Sequence, residues 1–279
     1  MSNRKPASKQ KPSISVVMSV WQGDKASQIA EAIDSILVQT HKADEMIIVK
    51  DGPVSAAITS CLERYQNHKL IKIYQLKQNS GRGAARNHAI KHAAGEIIVM
   101  MDADDISRPE RIEQQFRVLR RNHLDILGCF IEEFVTIPGD LKDVRQVPLQ
   151  QTDIEKMVRM RSAFNHVTLM FSKSFFDKIN GYSNLNYVED WDFYLRSIQA
   201  GGKVQNIPLV LVDVRKSVWR RRSYQYLREE ISVAFRAFQR RQIPPLLFMF
   251  SVILRVGKFL TPAFALNMLY HKVLRQRQD

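Results

Sequence analysis

The chain of 279 residues has two cysteines, Cys61 and Cys129, far apart and with no CxxC pair or Cys/His cluster near either. That excludes a disulfide framework, gives no zinc site and fits a reducing compartment. No GxxxxGKS loop is present, and the nearest glycine pattern, Gly81-Arg82-Gly83-Ala84-Ala85-Arg86, lacks the third glycine of the dinucleotide fingerprint. No GxSxG elbow marks a serine hydrolase. No internal repeat accompanies the pattern. Residues 1–12 are lysine-rich without an apolar segment, so a disordered basic tail is expected there rather than a secretory signal.

Acids are scarce at both ends. The formal charge is +14, yet residues 13–214 carry 24 basic and 25 acidic groups. Residues 215–279 carry 14 basic groups and three acids. A nucleic-acid-binding core would spread its basic stripe over the folded domain, so no nucleic-acid partner is expected. The charge points to an anionic membrane surface, and the chain is expected to be cytoplasmic and peripheral on the inner face of the cell membrane.

The first half alternates short apolar runs with amphipathic stretches. Strands are expected at Ile14–Met18, Glu45–Val49, Leu70–Leu76 and Ile97–Met101, with helices over about 29–40, 55–65 and 83–94. This βαβ alternation predicts an α/β fold with a parallel sheet, whose ligands bind beyond the carboxyl ends of the strands. Polar groups stand at three of those ends: Ser19 with Trp21, then Asp51, then Asp102 with Asp104 and Asp105. Like charges so close raise one another's pKa unless a cation offsets them. Oxygen ligands of this kind suit Mg²⁺ or Mn²⁺, with substrate phosphate completing the shell and Arg86 as a further candidate contact. The plainer alternatives are an acidic turn before a helix starting at Pro109, and a turn-forming Asp51.

In the second half, Asn165-His166 precedes an expected strand at Val167–Phe171, and Ser172 is placed to cap the next helix. His166 is a candidate acceptor or diphosphate contact, or a structural histidine. Glu189-Asp190-Trp191-Asp192 opens a helix running to about Ala200, where acids also favour the first turn through the macrodipole. Trp191 either stacks on a sugar or fills the core. A last strand is expected at Leu209–Val212, with Arg215 just past its end, placed to neutralise a leaving diphosphate.

Ser15-Val16-Val17-Met18-Ser19-Val20-Trp21, Asp44 to Pro53, Asn79-Ser80-Gly81 to Arg86-Asn87, Met101-Asp102-Ala103-Asp104-Asp105 and Glu189-Asp190-Trp191-Asp192 together resemble, in order and spacing, the family 2 glycosyltransferases that build bacterial exopolysaccharide, capsule and O-antigen. The resemblance covers residues 13–222. It implies a GT-A fold, with a nucleotide-sugar-binding half over 13–105 and an acceptor half over 106–222. It further implies an inverting, metal-dependent transfer from a nucleotide-sugar donor, usually UDP-linked, to a lipid-linked glycan acceptor. By position, Ser19 and Trp21 would line the uridine pocket, Asp51 would meet the uracil ring and Asp102 the ribose. Asp104 would hold Mn²⁺ or Mg²⁺ against the diphosphate, and Asp190 would be the general base.

Residues 223–279 form a basic extension with helical spacing. Two charge-free runs, 13 residues at Gln242–Leu254 and 12 at Phe259–Tyr270, fall short of the ~20 needed to span a bilayer, so interfacial helices are expected, or else a cap on the enzyme's own core. Two other functions were open to this sequence. A nucleotidyltransferase would show a glycine-rich basic loop where Val20-Trp21-Gln22-Gly23 stands, and a non-enzymatic membrane adaptor leaves the strand-end acids unexplained.

Overall fold

A computed structural model describes residues 12–216 and 223–261, with the backbone of 276–277. Strands β1 (Ile14–Val20), β2 (Glu45–Lys50), β3 (Ile71–Gln75) and β4 (Ile97–Asp102) alternate with helices α1 (Ala26–Leu37), α2 (Ala56–Glu63) and α3 (Arg82–His92). They pair in parallel in the order β4-β1-β2-β3. Strand periodicity divides each run between two cores: Val17, Ile98 and Met100 face α3, while Val16, Met18, Val99 and Met101 face α1. Hence the runs are uninterruptedly apolar.

The second half adds β5 (Ile106–Ser107), α4 (Arg111–Arg121), β6 (Ile126–Phe134), β7 (Asp143–Arg145), α5 (Gln151–Val158), β8 (Met170–Ser172), α6 (Lys173–Lys178), α7 (Glu189–Gln199) and β9 (Val204–Arg215). Here β4 departs from expectation. It is buried on both faces, but its second neighbour, β8, is antiparallel, and it runs one residue further, to Asp102. The strand expected at Val167–Phe171 is replaced at its start by a 3-10 turn over His166–Thr168, because the Thr168 hydroxyl donates to Asn165 O and Leu169 N–H to His166 O. The last strand starts at Val204, not Leu209. Pro208 hid it, since proline fits a strand only at an irregularity, and the β6–β9 register shifts just there, between Ile207 and Val210.

The C-terminal region forms α8 (Tyr224–Gln239) and α9 (Pro245–Leu260), with the strand β10 (Gln276–Arg277) pairing β7. The basic tail over 1–11, the arginines 220–222 and most of the run Phe259–Tyr270 lie outside the described residues. Among those described, no helix is long and apolar enough to cross a membrane. Tyr226, Val233, Ala234, Ala237 and Ile243 pack in the same core as α3 and α7.

One buried cation locks the two halves behind the strand ends. The Arg111 guanidinium, fully enclosed, donates to Met100 O and Val167 O at 2.8 Å each and to Gln115 Oε1 at 3.0 Å. Burial lowers its pKa to about 10. Arg111→Met orphans two carbonyls and is expected to cost about 3–5 kcal/mol. At roughly 2–4 °C per kcal/mol the melting temperature should fall clearly. An unchanged melt would show those carbonyls satisfied elsewhere.

Candidate active site

The three polar strand ends are neighbours. In register, Ser19 lies between Val49 of β2 and Asp102 of β4, and Asp51 N–H donates back to Val20 O at 2.7 Å. Trp21 stands beyond them, 38% exposed, its ring 2.2 Å from where a Cβ on Gly23 would lie. Asp51 is buried and accepts from Ser80 N–H at 2.7 Å and Gly81 N–H at 3.1 Å, tying the end of β2 to the loop before α3.

The glycine pair of that loop serves close packing. Gly81 takes φ +90, and Gly83 lets α3 close onto the chain at Ser183 O, 3.0 Å from a Cβ there. Asn87 completes the contact: its Nδ2 donates to Tyr182 O, and Tyr182 N–H donates to its Oδ1, both at 2.9 Å.

On this platform Arg86 is buried between two acids, 2.9 Å from Asp102 Oδ1 and 2.8 Å from Glu189 Oε1. The guanidinium expected near phosphate therefore bridges β4 to the start of α7. Arg82, one turn earlier, is exposed, and its charge bears on Asp102, Asp104 and Glu189. The sequence showed Arg82 only as a spacer in the glycine pattern.

The strand-end acids differ in their partners. Burial works against ionisation of Asp102, but Arg86, aided by His166 and Arg82, outweighs it and holds the carboxyl below its ordinary value. Asp105, enclosed, accepts from Arg215 N–H at 2.9 Å; burial and the charges of Asp104 and Asp102 push it well above the carboxylate range. Asp104 makes no ion pair among the described residues, and burial and Asp102 raise it. Arg215, the last residue of β9, folds back over this turn, donating to Asp104 O at 3.2 Å and pairing with Glu31 at 2.6 Å. The acids cap no helix, since α4 starts after β5 with no side-chain cap.

Asp24 escaped the sequence reading. Its Oδ2 accepts from Trp21 N–H at 2.9 Å, and burial lifts it to about 6 despite that bond, with Asp104 and Asp102 adding repulsion. It sits in the turn after β1, where an acid passes for a turn former.

Across from β4, Glu189 and Asp190 open α7. Glu189 is buried and its Oε2 lacks a partner among the described residues. Asp190 Oδ1 accepts from Trp191 N–H at 2.7 Å. His166 Nε2 meets the Tyr182 hydroxyl at 3.0 Å, and the buried Tyr194 hydroxyl feels Asp190, Tyr182 and Glu189. Trp191 fills the core, its Nε1–H donating to Val158 O at 2.7 Å.

No group of three or more His, Cys, Asp or Glu converges as a metal cage among the described residues. The donor set still fits a hard cation: one unpaired carboxylate, Asp104, beside two others is what Mg²⁺ or Mn²⁺ needs when water and phosphate complete the shell.

The profile described as Glycosyl transferase family 2 matches residues 15–179, more than half of the chain. The chain belongs to glycosyl transferase family 2. A second profile, the N-terminal domain of galactosyltransferase, matches residues 152–217. This glycosyltransferase is 31% identical over 269 residues to the UDP-Gal:alpha-D-GlcNAc-diphosphoundecaprenol beta-1,3-galactosyltransferase of Escherichia coli, covering 95% of this chain and 98% of that one. It is also 31% identical over 223 residues to the amylovoran biosynthesis glycosyltransferase AmsE of Erwinia amylovora, covering 78% of this chain and 83% of that one. The crystal structure of S. aureus TarS 1-349 superposes with a TM-score of 0.66 at 16% identity, over 89% of this chain and 72% of that one. The same protein in complex with UDP-GlcNAc gives 0.64 at 18%, over 80% and 66%. These likenesses show the fold, an α/β GT-A-like sheet flanked by helices.

One site acid titrates in an accessible range. Burial pushes Glu189 up to about 7, with Arg86 opposing and Asp190 adding. An unfolded glutamate titrates near about 4.3, so the native state keeps a proton the unfolded chain has lost. The group's stability contribution therefore falls as pH rises between those values and is constant above. Unfolding curves at pH 5 and pH 8 should show Glu189→Gln gaining on the wild type at the higher pH. A pH-independent difference would mean that Glu189 is ionised throughout.

Proposed function

We propose that this glycosyltransferase moves a sugar, with inversion, from a UDP-sugar to a lipid-linked glycan acceptor in bacterial surface polysaccharide biosynthesis, working peripherally on the inner membrane face. The observation that carries the reading is that Arg86 bridges Asp102, at the end of β4, to Glu189, which opens α7 next to Asp190. The activity for which the E. coli relative is named, with a UDP-sugar donor and a diphospholipid acceptor, supports both substrates.

In this reading Ser19, Trp21 and Asp51 receive the uridine, Asp51 offering the lone pairs that Ser80 and Gly81 leave unused. Asp102 faces the ribose. Asp104 would hold Mn²⁺ or Mg²⁺, which when bound supplies charge to the departing diphosphate. Arg82 and Arg215 add positive charge on the protein side, while Arg86 orients Asp102 and Glu189. The acceptor hydroxyl attacks the anomeric carbon as its bond to UDP breaks, and its proton passes to Asp190. His166, with Tyr182, lines the acceptor side.

Two measurements test this. By calorimetry, UDP should bind the wild type at least about tenfold more tightly in Mn²⁺ than in EDTA, and Asp104→Asn should erase most of that difference. Equal affinity in both buffers removes the metal from this site.

With radiolabelled UDP-sugars and membrane extract, Asp190→Asn should lower turnover by roughly 10² to 10⁴ with UDP affinity nearly unchanged. Near-normal turnover, with Glu189→Gln or His166→Ala inactive, places the base elsewhere.

A further inference from the structure

Helix α9 is amphipathic in the inverted sense. Its buried residues are Ser251 and Arg255, whereas Leu246 (82% exposed), Met249, Phe250, Ile253 and Leu260 face outward. A helix lying on a globular protein turns its apolar stripe inward. An outward stripe this continuous marks a face whose neighbour is apolar. The neighbour's charge can be read as well. From Ile231 to Gln278 the chain has no Asp or Glu, and Arg228, Arg240, Arg241 and Lys258 are exposed around the hairpin. Apolar face plus basic rim, with the hairpin's acids Glu229 and Glu230 engaged by Tyr187 N–H and Arg255, matches an anionic bilayer surface.

The inner side of the same hairpin holds the chain on both sides of Asp190. Glu229 of α8 accepts from the N–H groups of Asn186 and Tyr187, at 3.1 and 2.9 Å, in the loop just before α7. The Arg255 guanidinium lies 4.4 Å from the Trp191 ring centroid, just after Asp190, and donates to Met160 O at 2.8 Å. Further along, Gln242 Nε2 donates to Leu195 O at 2.6 Å, and Arg240 stands 3.9 Å from Asp192.

We propose that the α8–α9 hairpin docks the enzyme on an anionic bilayer through the outward face of α9 and, through Glu229 and Arg255, fixes the start of α7 that carries Asp190. Arg255 and Glu229 are positioning residues for the base, and the inference rests on the assignment of that base to Asp190.

The test separates docking from positioning. Met249→Gln with Ile253→Gln should lower co-sedimentation with phosphatidylcholine/phosphatidylglycerol vesicles at least about tenfold, leaving the melting temperature and UDP binding unchanged. Arg255→Met and Glu229→Gln should keep vesicle binding within about twofold. Both should lower kcat at least about tenfold, with KM for the UDP-sugar unchanged, on acceptor lipid dispersed in detergent. Glu229→Gln retains the side-chain shape and keeps the test valid if Arg255→Met fails to fold. Wild-type vesicle binding by the double variant overturns the docking face, as does a wild-type dimer in light scattering that the double variant dissociates. Wild-type kcat in both Glu229→Gln and a folded Arg255→Met overturns the positioning role. Failure of Asp190 as base is read separately, from Asp190→Asn retaining turnover while the vesicle results stand.

Discussion

The two halves of the active site are held together by one buried guanidinium. Arg86 comes from α3, Asp102 from the strand that ends the parallel half, and Glu189 from the start of α7. Each charge alone would be costly to enclose, and the pairs are tolerable only because the geometry is direct. Two carboxyls thus share one guanidinium. The exposed Arg82 adds positive charge beside Asp104 and Glu189.

The three acids after β4 divide their work through their neighbours rather than their chemistry. Asp102 is paired, Asp105 holds the backbone of the returning β9, and Asp104 has no ionic partner among the described residues. The DxD pattern thus joins two sequence-distant events: the end of the nucleotide sheet and the fold-back of Arg215 over it. Arg111 works beneath the same turn, on carbonyls instead of carboxylates.

Alternation and strand-end polarity made the first half of the fold legible, because a parallel sheet buried on both faces forces continuous apolar runs and collects its polar groups at one end. What escaped depends on partners far away in sequence. Nothing local to Arg86 announces a glutamate 103 residues later, and nothing near Glu229 announces the loop before α7. Asp24 was hidden by its resemblance to a turn residue, and β9 by Pro208 at its bulge. Val167 and Thr168 read as strand because both are β-branched, while the Thr168 hydroxyl and the Leu169 N–H turn the backbone instead.

The inverted helix α9 changes how this enzyme is to be handled. Membrane anchor and core cap looked like alternatives for the C-terminal region, yet one helix serves as cap on its inner side, with Leu247 and Phe248 packed on the core and Arg255 over Trp191. A shortened chain ending before Pro244 would expose that seam beside α7. A water-soluble form is better sought by recolouring the outer stripe with polar residues while keeping every inward contact, so that solubility and catalysis become separately adjustable.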